Sequence, residues 1–211
     1  MKVIAINGSP RKEGNTHHAL LMVCEQLHAS GIETEILHIG HKNIHGCLAC
    51  GKCRENKNER CVIERDDVNQ WIGQLKEADG ILFGAPVYFS GIPGTMKSFM
   101  DRLFYVSGSN DGLLRHKVGA SVVALRRSGG SATFDSLNHY LLYSEMLIAS
   151  SNYWNIIHGG APGEVAGDDE GRQIMRMLGR NMSWLLHMKQ ASQGIAQPPV
   201  AEPKVKTSFI R

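Results

Sequence analysis

Four cysteines, Cys47, Cys50, Cys53 and Cys61, fall within fifteen residues in the spacing C-x2-C-x2-C-x7-C, while the fifth, Cys24, stands apart. Clustered thiolates ligate a metal, form disulfides or remain free. A zinc ribbon uses two separated C-x2-C pairs, and this array is tighter. Two consecutive C-x2-C steps match the way a chain wraps three corners of a cubane, and a fourth thiolate closes the site. A 4Fe-4S cluster, a zinc ion, and free or disulfide-linked thiols therefore all stay open on spacing alone. Cys24 shares an apolar helical face with Leu20, Val23 and Leu27 and reads as a small core residue.

A second group of residues suits an anion. Gly8-Ser-Pro-Arg-Lys-Glu-Gly-Asn-Thr16 joins an apolar run to a helix, so backbone N–H groups and the helix dipole reinforce Ser9, Arg11, Gly14, Asn15 and Thr16 as a phosphate cradle. It is not a Walker A loop: five residues separate Gly8 from Gly14, and Asn15 stands where the lysine is required. No G-x-G-x-x-G occurs in it either, which disfavours ATP and a conventional dinucleotide site. Two further loops accompany it. Pro86-Val-Tyr-Phe-Ser-Gly-Ile-Pro93 is stiff and aromatic, a surface for a flat ring, with Pro86, Val87, Tyr88 and Phe89 as candidates. Arg126-Arg-Ser-Gly-Gly-Ser131 offers guanidinium groups and, at Ser128, Gly129 and Gly130, backbone donors. The histidines form no H-E-x-x-H pair and suggest no catalytic role, and no Ser-His-Asp order is legible.

Positioning these loops requires strands and helices in alternation. Lys2 to Ile6, Glu33 to Ile39, Gly80 to Gly84 and Val118 to Leu125 read as strands, with a weaker fifth through Tyr153 to Ile157. Helices are predicted after Asn15, from Asp66 as N-cap to Glu77, near Gly94 to Val106, over Phe134 to Leu147, and from Asp169 to Lys189. Gly40 to Arg65 reads as one long loop carrying the cysteines. Parallel neighbours need crossovers, so the pattern predicts an α/β fold with a parallel sheet between two helical layers and the ligand outside the strands' carboxyl ends.

Composition bounds the function. The 211 residues are 42% hydrophobic and 20% charged, which fits one globular unit rather than a disordered chain. The organisation expected is a domain over residues 1–190 with a cysteine-rich insertion at 40–65, then a proline-containing tail over 191–211. A net charge of +3, scattered along the chain, is too small for a nucleic-acid footprint. No stretch of about 20 apolar residues could span a bilayer. The opening residues lack the shape of a signal peptide, so a cytoplasmic location is expected.

The segments Ile4 to Thr16, Gly84 to Ser90 with Met96 to Arg102, and Arg126 to Gly130 resemble the NADPH-dependent FMN reductase family, in order, over about residues 1 to 160. That resemblance implies the flavodoxin-like fold: a three-layer sandwich around a five-stranded parallel sheet of order 2-1-3-4-5. It implies FMN, with its phosphate on Ser9, Arg11, Asn15 and Thr16, its ribityl and ring near Pro86 to Phe89, and its pyrimidine edge near Ser128 to Gly130. The cysteine array and the run Cys61-Val-Ile-Glu-Arg-Asp-Asp67 resemble the iron-sulfur flavoprotein branch, which implies cluster ligation by Cys47, Cys50, Cys53 and Cys61.

The function implied is an oxidoreductase moving hydride or electrons from NAD(P)H or a ferredoxin-like donor to a small-molecule acceptor, with no catalytic side chain required. A homodimer or homotetramer is expected from the family. Two rivals are an electron carrier like a short flavodoxin, disfavoured by the basic charge, and a zinc-stabilised binding module on the same fold.

Overall fold

Val3, Ile4, Ala5 and Ile6 are completely buried, as a strand covered on both faces must be. They form β1 (Lys2–Asn7) at the centre of the sheet. The computed structural model describes residues 1–205 together with Thr207 and Phe209. The expected tail over 191–211 therefore passes, at 206, 208, 210 and 211, outside the described residues.

From β1 the chain enters α1 (Asn15–Ala29), returns as β2 (Glu33–His38), crosses the cysteine segment with its short α2 (Lys52–Asn56), and forms α3 (Val68–Glu77). It continues through β3 (Gly80–Pro86), α4 (Gly94–Ser109), β4 (Val118–Leu125) and α5 (Gly130–Tyr143). Two short strands follow, β5 (Leu147–Ile148) and β6 (Ile156–His158), then a 3-10 turn (Glu164–Gly167) and α6 (Asp169–Ala191).

All pairings among these strands are parallel. Their order is β2-β1-β3-β4-β5, with β6 also on β4. Leu20, Val23 and Leu27 of α1 and Ile174, Leu178 and Met182 of α6 cover one face. Trp71 and Leu75 of α3, Phe99 and Leu103 of α4, and Leu137 and Leu141 of α5 cover the other. This is the expected three-layer α/β sandwich, and Cys24 lies in the first of these layers as a buried residue.

Three local expectations are corrected. The fifth strand over Tyr153 to Ile157 is replaced by two fragments, and Tyr153 and Trp154 stand in the connection before β6, half exposed and packed edge to face. The helix expected over Phe134 to Leu147 begins at Gly130 and stops at Tyr143, because Gly129 takes the left-handed conformation (φ +84°) that opens it and Leu147 belongs to β5. The N-cap position of α3 falls on Asp67, which makes no side-chain cap bond, while Asp66 before it accepts from the Val68 N–H (3.3 Å) as well as from Arg102. Among the described residues no helix is long and apolar enough to cross a membrane.

Candidate functional site

The first loop is built from Asn7. Its buried side chain accepts from the Ser9 N–H (3.1 Å) and donates to the Lys12 carbonyl (3.1 Å), which bends residues 8–12 into a turn at the carboxyl end of β1. Ser9 is buried, and its hydroxyl accepts from the Arg11 N–H at 3.2 Å. Gly40 packs so closely that a Cβ there would stand 2.1 Å from the Ser9 carbonyl oxygen, so the end of β2 supports this turn only as glycine.

At the start of α1, Gly14 supplies no side-chain cap, so the first-turn N–H groups point outward without one. The Thr16 side chain is buried there, and its hydroxyl has no hydrogen-bond partner. Arg11 is exposed. Burial and the neighbouring His18 lower the His17 pKa from its ordinary imidazole value. Asn15 is employed differently from its companions. Its amide donates to the Ala161 carbonyl (2.9 Å) and accepts from the Gly163 N–H (2.9 Å), tying α1 to the turn after β6. Thus Ser9, Arg11, Gly14 and Thr16 stand together at the start of α1, and both ends of the Asn15 amide are committed to the protein.

The second loop leaves β3 at Pro86 and turns back on itself, Tyr88 and Gly91 exchanging both backbone hydrogen bonds (3.0 and 2.9 Å). Phe89 (φ +49°) and Ser90 (φ +59°) both occupy the left-handed region, as the tight hairpin turn requires. Phe89 is wholly exposed at its tip and Tyr88 half exposed, so the turn holds two aromatic rings out in solvent.

The third loop meets it at Gly129. A Cβ there would stand 2.8 Å from the Ser90 Cα and 3.0 Å from Val87. Ser128, Gly129 and Gly130 line a cavity of about 350 Å3 with Tyr153, Trp154 and His158. Tyr88 and Phe89 are not among its walls, and reach this loop only through Ser90 and Val87.

The cysteine segment lies apart from these loops, against α4. Cys47, Cys50, Cys53 and Cys61 line one narrow cavity with Leu48, Tyr105 and Arg102. Cys47 and Cys50 are exposed, Cys53 is buried and Cys61 lies between. No three His, Cys, Asp or Glu side chains among the described residues converge in the manner that grips a single ion; the thiols stand round a space instead. That space has room for little more than one water, about 20 Å3. The donor set, four thiols on one cavity, is nevertheless the chemistry of a cluster or zinc site.

Spacing did not find Asn7, Gly40, Asp66, Asn69, Arg102 or Asn110, which hold these loops in place. Asn7-Gly-Ser carried a legible turn signal. Arg102 acts across 41 residues on Cys61, a contact no local pattern announces.

A Gly-rich loop at the head of α1, an aromatic turn after β3 and a glycine loop after β4, at the carboxyl ends of a parallel sheet of order 2-1-3-4-5, define a protein of the flavodoxin-like class. Residues 1–161 match the NADPH-dependent FMN reductase family, and the chain belongs to it, a family of flavoprotein oxidoreductases. An iron-sulfur flavoprotein of Methanocaldococcus jannaschii is 38% identical over 193 residues, covering 87% of this chain and 96% of that protein. Among solved structures, a flavodoxin from the Archaea superposes with a TM-score of 0.58 at 16% identity, over 89% of this chain and 99% of that one. The NAD(P)H:quinone oxidoreductase of Methanothermobacter marburgensis does so with a TM-score of 0.66 at 17% identity, over 86% and 96%. These two likenesses show the fold.

Proposed function

We propose that the chain binds FMN at the three loops and passes electrons from NAD(P)H or a ferredoxin-like donor to a small-molecule acceptor, with a 4Fe-4S cluster on Cys47, Cys50, Cys53 and Cys61. The observation that carries the flavin site is the buried Thr16 hydroxyl without a partner beside an uncapped helix. A buried polar group left unpaired costs about 1 to 3 kcal/mol, and a phosphate oxygen at this point would satisfy it.

Bound FMN supplies hydride transfer and one-electron transfer. Ser9, Arg11 and Thr16 hold its phosphate, aided by the N–H groups that follow Gly14. Asn15 serves by anchoring the Ala161–Gly163 turn to the same helix rather than by touching the phosphate. Pro86 and Val87 place the aromatic turn, and Tyr88 and Phe89 wall the space where a flat donor or acceptor stacks. Ser128, Gly129 and Gly130 present donors to the ring's polar edge, beside the cavity they share with Tyr153 and Trp154. The cluster reading is supported by four thiols on one cavity and by the relative 38% identical that is called an iron-sulfur flavoprotein.

The test is FMN retention in Thr16→Val and Arg11→Ala. Each is expected to weaken FMN binding about tenfold or more, the worth of one charge-assisted hydrogen bond. Unchanged retention in both would remove the phosphate from this loop.

A further inference from the structure

One cation in this molecule is sealed from water and faces the cysteines. The Arg102 side chain is fully buried, which for a guanidinium demands that every N–H find an acceptor. All five do. Nε donates to Cys61 Sγ (3.3 Å), one terminal nitrogen to the His45 carbonyl (3.4 Å) and Asp66, and the other to the Ile63 carbonyl (3.0 Å) and Asp66 Oδ1 (3.1 Å). A residue in the middle of α4 thus gathers both ends of the cysteine segment, just ahead of Cys47 and on either side of Ile63.

Neighbouring amides continue the same scaffold. Asn69 of α3 accepts from the Cys61 N–H (2.7 Å) and donates to the Cys61 carbonyl (2.9 Å). Asn110 donates to the Cys53 carbonyl (3.3 Å) and accepts from the Glu59 N–H (3.0 Å). Cys53 and Cys61 are therefore held by buried side chains of the main fold. In the Cys47–Cys50 arm the Ala49 N–H donates to Cys47 Sγ (3.4 Å), a bond inside the arm rather than to the main fold.

We infer that Arg102 is the positioning residue of the cysteine site: it fixes Cys61 before any metal arrives, and its N–H bond and charge, balanced by Asp66, set the reduction potential of the group the cysteines hold. This rests on the cluster reading above. Hydrogen bonds to ligand sulfurs and nearby positive charge favour the reduced, more negative form and raise the potential. The arrangement yields two opposite expectations. Lysine at 102 keeps a charge but loses the planar fork that delivers Nε to sulfur while gripping Asp66, so Arg102→Lys lowers the midpoint potential. Asp66→Asn leaves the guanidinium charge unbalanced beside Cys61 and raises it.

The experiment is a redox titration of the cluster, followed by its EPR signal, in protein purified without oxygen, with iron and FMN counted in wild type, Arg102→Lys and Asp66→Asn. Shifts of opposite sign with FMN retained support the inference, since a purely structural role would move iron content without ordering the potentials. Shifts of the same sign, or none, overturn it. Should Arg102→Lys lose its iron, the sign of the Asp66→Asn shift still decides. Iron-free wild-type protein would defeat the cluster reading and with it the claim on potential. The positioning claim then stands on amide hydrogen exchange: residues 45–66 should exchange faster in Arg102→Lys while α1 and the central strands are unchanged, and equal exchange overturns it.

Discussion

A hydroxyl buried without a partner weakens the protein that carries it, and Thr16 does so at the head of α1. Valine has nearly the same shape and no hydroxyl. Thr16→Val should therefore leave the flavin-free protein as stable as before, or more stable by about 1 kcal/mol, while weakening FMN binding. Denaturation of the flavin-free protein beside a flavin titration checks both, and a variant that loses stability in the absence of FMN would speak for an ordinary core role. Asp168 presents the opposite case, a polar side chain fully employed. It caps α6 by accepting from the Gly171 N–H (2.9 Å) and also accepts from the His158 N–H (2.7 Å). Burial pushes its carboxyl up, but the bonds from Gly171 and His158 outweigh that, and the net shift is downward. A carboxylate held below its unfolded value adds stability above that value, and the contribution fades as pH falls through the folded one. Asp168→Ala should cost about 1 kcal/mol at pH 7, the worth of a cap, and the gap to wild type should narrow below about pH 4. Urea denaturation at neutral and acid pH reads this, and a gap independent of pH would contradict it.

Between residues and fold stand the elements, and they were legible unevenly. The four strands predicted with buried or β-branched runs appear within a residue or two, because Val3–Ile6, Ile81–Phe83 and Val118–Leu125 are apolar on both faces and have no other way to be buried. The fifth strand misled because its sheet position is filled from two places. Leu147–Ile148 pairs with Val118–Gly119, Ile156–His158 with Val123–Leu125, and the residues between bulge away. Asn155 bridges the gap with its side chain, donating to the Ser121 carbonyl at 3.0 Å, while its own carbonyl accepts from the Val123 N–H at 2.9 Å. No periodicity marks a strand completed by an amide. Asn155→Asp, which keeps the shape but loses the donor to the buried Ser121 carbonyl, should cost about 1 to 3 kcal/mol, measurable as a lowered denaturation midpoint. The aromatic turn is strained in its own way. Ser90→Gly should stabilise the protein by about 1 kcal/mol, since glycine adopts φ +59° without penalty, and thermal melting checks it.

At the scale of the molecule, the three loops proposed for the flavin were readable because each follows a strand, and the sheet delivers strand ends to one side. The scaffold around the cysteines was not, because Arg102 of α4 and Asn110 at its end stand 41 and 57 residues from the cysteines they hold, and Asn69, though near in sequence, acts through its side chain on the Cys61 backbone. For the whole protein purified without oxygen, flavin absorption over a broad iron-sulfur band with about four irons per chain is expected. Flavin bands without iron would leave an FMN oxidoreductase with spare thiols.

The broken margin at β5 and β6 also governs how copies of this chain can meet. A sheet grows into its neighbour only along an unbroken edge. Here one border is interrupted after two residues, and the other, β2, presents Glu33 and Glu35 paired with Lys2 of β1. Charge on one border and a gap on the other discourage strand addition, so the fold guards itself against open-ended stacking.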